Sequence, residues 1–146
     1  MESIILIITI GLLGGLAIGV QAPLSSMLTQ RLGVMESIFI VHFSGAVASL
    51  IPLVIFYGGG KLGNWRSVPW YALCAGALGL IVIFSMGYMI PRVGIATALI
   101  VLLAGQLLMG TFLDHFGLLG AVQRPLDVTR VVGLSVVLVG VWLSVK

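Results

Sequence analysis

Charge is what this sequence has least of. Only 8% of its 146 residues are Asp, Glu, Lys or Arg, against roughly 25% in an ordinary soluble domain. So few ionic groups cannot cover a surface that faces water, and the solvent that fits the chain is lipid. Cysteine is almost missing too. Cys74 stands alone, which excludes an internal disulfide and any multi-cysteine metal centre. Its place in an apolar run leads us to expect a small packed thiol. The seven Lys and Arg are scattered singly, so the net charge of +3 forms no stripe for nucleic acid. Nucleophile elbow, P-loop, His-Glu-x-x-His and paired carboxylates are all absent. The chain therefore reads as a non-enzyme that calls for no cofactor and no metal.

What is abundant is hydrocarbon and glycine. Apolar residues make up 60% of the chain, the mean hydropathy is +1.28, and there are 20 glycines. Glycine at that level weakens helices in water, but in lipid it lets them approach closely. The charges divide the sequence into uncharged runs at 3–30, 37–60, 67–91, 93–113 and 131–145. A helix crossing the bilayer needs about 20 largely apolar residues, so the first four runs suffice as they stand. The last is completed by Val128 and Thr129, with Arg130 and Lys146 snorkelling to the interfaces. Helix is required over strand because backbone amides in lipid must be satisfied within their own segment. The expected fold is all-α: a polytopic membrane protein with one five-helix transmembrane domain over 1–146, its spans at approximately 4–28, 37–57, 68–90, 93–113 and 128–145.

The connections carry turn chemistry, with Gly58-Gly59-Gly60 after the second span and Pro91 before the fourth. Trp65 and Trp70 flank Arg66 as an aromatic belt would. The stretch from His115 to Gln123 is too short to cross, so it extends the fourth span or lies along the interface. At the other end, Met1-Glu2-Ser3 has no basic residue, and the apolar stretch behind it exceeds the roughly 7–15 residues of a signal-peptide core. A retained first span is expected.

Small residues recur at helical spacing: Gly11, Gly15 and Gly19 in the first span, Gly76 and Gly79 in the third, Gly133 and Gly140 in the fifth. Each pattern reads first as a face for close helix packing. Five spans put the termini on opposite sides. Lys61, Arg66, Arg124 and Arg130 then fall on the N-terminal side, and Arg31, Arg92 and Lys146 on the other. Four against three is almost no orienting bias. Two readings stand: insertion in both directions, giving pairs of oppositely oriented chains, or a single orientation set by a partner or by the weak bias.

Polar groups inside a membrane are costly and so mark candidate sites. The first span ends in Gln21-Ala22-Pro23-Leu24-Ser25-Ser26, where Pro23 removes an amide hydrogen bond and Gln21 and Ser25 lie one turn apart. That is the style of a broken-helix transporter site; a proline near a helix end with interfacial polar residues is the plainer reading. His42 shares a face with Gly45, Ser49 and Pro52. It is either a proton carrier or a neutral ring bonded to a neighbouring helix. Gln106, Gly110 and Asp114 recur at i, i+4 and i+8 on one side of the fourth span. Asp114 serves there as a proton or gating group, or as a cap or interfacial ion pair.

The C-terminal stretch from Gln123 to Leu143, with its Leu126-Asp127 turn and Gly133 to Gly140-Val141 helix, resembles the end of a drug/metabolite transporter repeat. Gln21-Ala-Pro-Leu, Gly105-Gln106-Leu107 and Asp114-His115-Phe116-Gly117 are similar to the small five-helix YdcZ-like branch of that superfamily. The resemblance covers nearly the whole chain. It implies a multi-pass protein of the bacterial inner membrane and an exporter of small molecules. It also implies a single repeat that pairs with a like chain, as an antiparallel homodimer or with a paralogous partner. Two departures accompany it. Ser25 stands where Asn is usual in that branch, and the first span lacks the embedded acid of the related small multidrug-resistance proteins. Proton-coupled export of lipophilic cations is therefore not implied.

The combined expectation is a secondary transporter subunit in the lipid bilayer, with Gln21, Pro23, Ser25, His42 and Gln106 lining a cavity for a small molecule. Asp114 and His42 are the coupling or gating candidates. The rivals are a dual-topology ion channel and an accessory subunit that scaffolds another membrane protein.

Overall fold

The computed structural model describes residues 4–146; the Met1–Ser3 opening, with Glu2, lies outside the described residues. Helices α1 (Ile4–Leu32), α2 (Val34–Tyr57), α3 (Trp70–Leu73), α4 (Ala75–Val93), α5 (Ile95–Phe116) and α6 (Val128–Val145) account for nearly all of it, with two short 3-10 turns and no strand among the described residues. Five stretches are long and apolar enough to cross a membrane: Ile4–Leu32, Val34–Tyr57, Trp70–Val93, Ile95–Phe116 and Val128–Val145. The first helix runs through Pro23 to Leu32 and the second starts at Val34, so one residue separates them. That residue is Gly33, whose φ of +115° is closed to most L side chains. Cys74 sits at the break between α3 and α4 and is exposed, which corrects the expectation of a packed thiol. The whole stretch from Tyr71 to Leu78 is exposed, so the thiol lies on a face that the first unit leaves uncovered.

The chain forms two compact units, one ending at Pro91 and the other running from Arg92 to Lys146. In the first, the close contacts are made by small and hydroxylated residues. Ala22 and Ser37 are completely buried, and Ser25 and Ser26 are 2% and 1% exposed. The Ser37 hydroxyl donates to the Ser25 carbonyl at 3.1 Å, tying α2 to α1. Ile83, Met86 and Gly87 form the buried face of α4. Large side chains such as Leu12, Phe39, Phe56 and Phe84 stay on the outside. This inversion follows from the solvent, because lipid is as apolar as leucine and helices associate through close packing and hydrogen bonds. Phe39 stacks on Phe43 and Phe84 on Tyr88 along those outer faces.

The second unit is an α5–α6 hairpin held near both ends. The Thr97 hydroxyl donates to the Ser144 carbonyl at 3.2 Å at one end, and Arg130 pairs with Asp114 at 3.6 Å at the other. The His115–Gln123 stretch lengthens α5 only to Phe116. Gly117, in the left-handed conformation, then caps the helix, its amide donating to the Asp114 carbonyl. Aromatic–cation pairs mark helix and loop ends, with Arg66 5.4 Å from the Trp65 ring and Lys146 3.9 Å from the Trp142 ring.

A close crossing in the first unit is Gly87 of α4 against Thr29 of α1. A methyl added at Gly87 would lie 2.6 Å from Thr29 Cγ2 and 2.9 Å from its Cβ. Gly87→Ala is expected to destabilise the protein by about 1–3 kcal/mol, the usual cost of overpacking. Gly14→Ala, whose methyl meets nothing within 4 Å, is expected to stay within about 0.5 kcal/mol of the parent. Unfolding in mixed micelles by added SDS measures both.

Candidate functional site

In each unit one of the cavities gathers polar residues singled out in the sequence. The first, about 340 Å³, is bounded by Gln21 of α1, Val41, His42 and Gly45 of α2, and Gly79, Val82 and Ile83 of α4. His42 lies about 12 Å along α2 from Val34, at 1.5 Å per residue, and so within the hydrocarbon depth. Its Nδ1 is 2.8 Å from the Ile38 carbonyl oxygen, one turn back on the same helix. A carbonyl oxygen only accepts, so this bond places a hydrogen on Nδ1. Nε2 projects over Gly79, where a methyl would fall 2.5 Å from it. The absence of a side chain at Gly79 is what gives the ring its place.

Gln21 and His42 thus share one cavity. Ser25 does not join them on its open side. It is buried in the α1–α2 seam, where its carbonyl accepts the Ser37 hydroxyl. Pro23 is half-buried within the uninterrupted α1. Ser49, on the His42 face, bonds back to the Ala46 carbonyl.

The second cavity, about 370 Å³, lies in the other unit between α5 and α6. Gln106, Gly110, Thr111 and Asp114 line it from one side and Arg130, Gly133 and Val137 from the other. The i, i+4, i+8 series of α5 therefore faces a single space. Asp114 pairs there with Arg130, whose Nη1 also donates to the Arg124 carbonyl at 3.3 Å. The next residue, His115, accepts the Leu126 amide on Nδ1 at 3.1 Å. Arg124 donates its amide to the Asp114 carbonyl at 2.8 Å. The Asp114-His115-Phe116-Gly117 motif thereby fastens the 117–127 connection back onto the end of α5. Arg130 and Ser37 were missed in the sequence reading. Opposite charges at the facing ends of successive spans were the available signal for Arg130, whereas nothing local marks Ser37 as the partner of a carbonyl twelve residues earlier.

Of the small-residue positions, Gly79 meets His42 and Gly133 borders the second cavity. At Gly11, Gly15, Gly19, Gly76 and Gly140 an added methyl would meet nothing within 4 Å in the single chain.

A family model described as "Putative inner membrane exporter, YdcZ" matches residues 6–143. The chain belongs to this YdcZ family. Among its relatives is "Inner membrane protein YdcZ" of Escherichia coli (strain K12), 29% identical over 123 residues, covering 84% of this chain and 74% of that protein. No solved structure matches. Family membership and the five apolar helices identify a multi-pass inner-membrane protein and support a membrane transporter. An exporter family points away from an enzyme.

The turn before α6 offers a clean test of the second unit. Asp127 caps α6, its Oδ1 accepting the Arg130 amide at 2.8 Å. Asp127→Ala is expected to cost about 1 kcal/mol, as loss of an N-cap does, while Asp127→Asn retains most of the stability. The same SDS unfolding assay separates the two outcomes.

Proposed function

We propose that this chain is one subunit of a secondary transporter exporting a small solute across the bacterial inner membrane, working as a dimer with inverted halves. The observation that carries this reading is His42. Its imidazole lies at hydrocarbon depth, and the cavity around it is open on one side within its own unit. An open-sided polar ring at that depth is costly against lipid. A solute pathway between two copies would supply both the cover and the water that such a group needs. Family membership supports export, and the near-even Lys and Arg tally supports insertion in both orientations.

In this reading Gln21, His42 and Gln106 line the solute path, and Pro23 and Ser25 shape the polar stretch of α1. Asp114 acts with Arg130 as a gate, its ion pair opening and closing as the two halves rock about a midplane site. His42 supplies proton coupling, because histidine is the side chain that exchanges a proton near neutrality. The partner is a second copy in antiparallel orientation or a paralogous chain.

Reporter fusions to the C-terminus, one active only in the cytoplasm and one only outside it, should both give signal from this chain expressed alone. Signal from one compartment only would exclude dual insertion. Purified protein in liposomes should carry solutes found by a thermal-shift screen, with saturable flux driven by a pH gradient. His42→Phe should lower that flux about tenfold or more, as loss of a proton-transfer group does. Unsaturable conductance would assign the protein to the channels instead, and absence of flux together with a co-purifying partner would make it an accessory subunit.

A further inference from the structure

We infer that His115 is a proton-operated latch on the Asp114–Arg130 pair. Neutral, its ring holds the 117–127 connection against the end of α5; charged, it lets the connection go. The latch stands on hydrogen bonds within the second unit, and its use in gating rests on the transporter reading above.

Three bonds fasten the far half of the connection. The Gln123 side-chain amide donates to the His115 carbonyl at 3.3 Å, and the Arg124 backbone amide to the Asp114 carbonyl at 2.8 Å. The Leu126 amide donates to His115 Nδ1 at 3.1 Å. The first two acceptors are carbonyl oxygens, which do not titrate; the third is a ring nitrogen, which does. To accept there Nδ1 must be bare, so the neutral ring carries its hydrogen on Nε2. A proton taken from water onto Nδ1 sets one N–H against another, and the Leu126 amide loses its acceptor. Pro125, just before it, has no amide to offer in its place. The ring stands in the last turn of α5 and is only half-buried, within reach of water at the membrane edge.

Arg130 leans on the residues either side of Leu126. Its Nη1 donates to the Arg124 carbonyl at 3.3 Å and its amide to Asp127 Oδ1 at 2.8 Å, while the same Nη1 meets Asp114 at 3.6 Å. Freeing Leu126 loosens both supports of the arginine, and with them the ion pair. His115 is a positioning residue for that pair. The charges nearby do not favour either form of the ring. Asp114 precedes it on α5, Arg124 lies on the connection, and Asp127 and Arg130 stand at the start of α6; two acids and two arginines cancel. The 3-10 turn Leu118–Gly120 brings no titratable group. In the cavity of about 290 Å³ beside the ring, His115 is the one lining residue that titrates. The bond to Leu126 is thus what a proton alters first. In an antiparallel pair the two His115 rings lie at opposite faces of the membrane. A pH gradient then loosens the ion pair on the acidic side and leaves the other fastened, so the two gates take opposite settings.

The test uses the full chain in detergent micelles, labelled with nitrogen-15. His42 and His115 are the only two histidines, so the ring signals lost in His115→Asn are assigned to His115. The neutral ring is expected to show a bare Nδ1 and a hydrogen on Nε2. As the pH falls through the titration of that ring, protection of the Leu126 amide against hydrogen exchange, corrected for the intrinsic rate, is expected to drop about tenfold, the worth of one hydrogen bond. The Ala98 amide, on the Gly94 carbonyl at the other end of α5, is the control and should not follow. His115→Asn sets an oxygen acceptor near the place of Nδ1 and cannot titrate, so Leu126 should stay protected across the same pH range. His115→Ala removes the acceptor, so Leu126 should exchange freely throughout. A merely structural role predicts neither the step nor the rescue by Asn. A hydrogen on Nδ1 of the neutral ring overturns the inference, and so does a Leu126 amide indifferent to the titration or a step that persists in His115→Asn. Micellar elution volume and helical circular dichroism identify a variant that fails to fold, in which case the titration of the parent protein decides. Exchange is read without flux. A working latch in a chain that moves no solute would retire the transporter reading alone, whereas saturable transport with an unresponsive Leu126 amide would retire this one.

Discussion

Everything in this molecule depends on a hydrogen-bonding constraint: in hydrocarbon, no polar group can turn to water for a partner. Helices satisfy the backbone, and the side chains then have to be reconciled with lipid one at a time. Thr9, Ser44, Ser85, Thr111 and Ser135 each give their hydroxyl hydrogen to a carbonyl three or four residues back on the same helix. Residues that bond outside their own helix are fewer, and they hold the fold. Ser37 reaches the Ser25 carbonyl, and Thr97 reaches Ser144. Because leucine gains nothing by leaving lipid for a protein interior, these bonds and the small residues around them take the part that a hydrophobic core takes in water.

The same constraint sorts the polar residues that are left over. His42 satisfies one nitrogen within α2 and lays the other against Gly79 at the wall of a cavity. Asp114 and Arg130 answer each other across the α5–α6 hairpin at 3.6 Å, a single contact with both side chains partly exposed. Such a pair contributes little to stability, about 0–1 kcal/mol where solvent reaches it, so its breaking is cheap.

The fold was legible because the charges are so few. Each uncharged run of sufficient length became a helix, and the helix boundaries follow the glycines and charges between the runs. What charge spacing misjudged were helix ends, since α1 extends past Arg31 to Leu32 and α2 begins before Glu36. A charged residue in the last or first turn can reach the interface without ending the helix. The site was legible only in part. The α5 series of Gln106, Gly110 and Asp114 follows from helical periodicity, and these residues do face one space. The pairing of Gln21 with His42, and the withdrawal of Ser25 into the α1–α2 seam, depend on how three helices cross. Crossing geometry is written in close contacts such as Gly79 with His42 and Gly87 with Thr29, which the regular spacing of small residues does not single out.

The junction at Gly33 has a mechanical corollary. With a single non-helical residue between Leu32 and Val34, and a seam bonded from Ser37 to Ser25 close behind it, the first two spans have no slack between them. They can tilt or roll only together, as a stiff prong, so Gln21 and His42 keep their spacing in every state that preserves the turn. In the proposed transporter, a motion that opened their cavity would have to be borne by the helices around the prong.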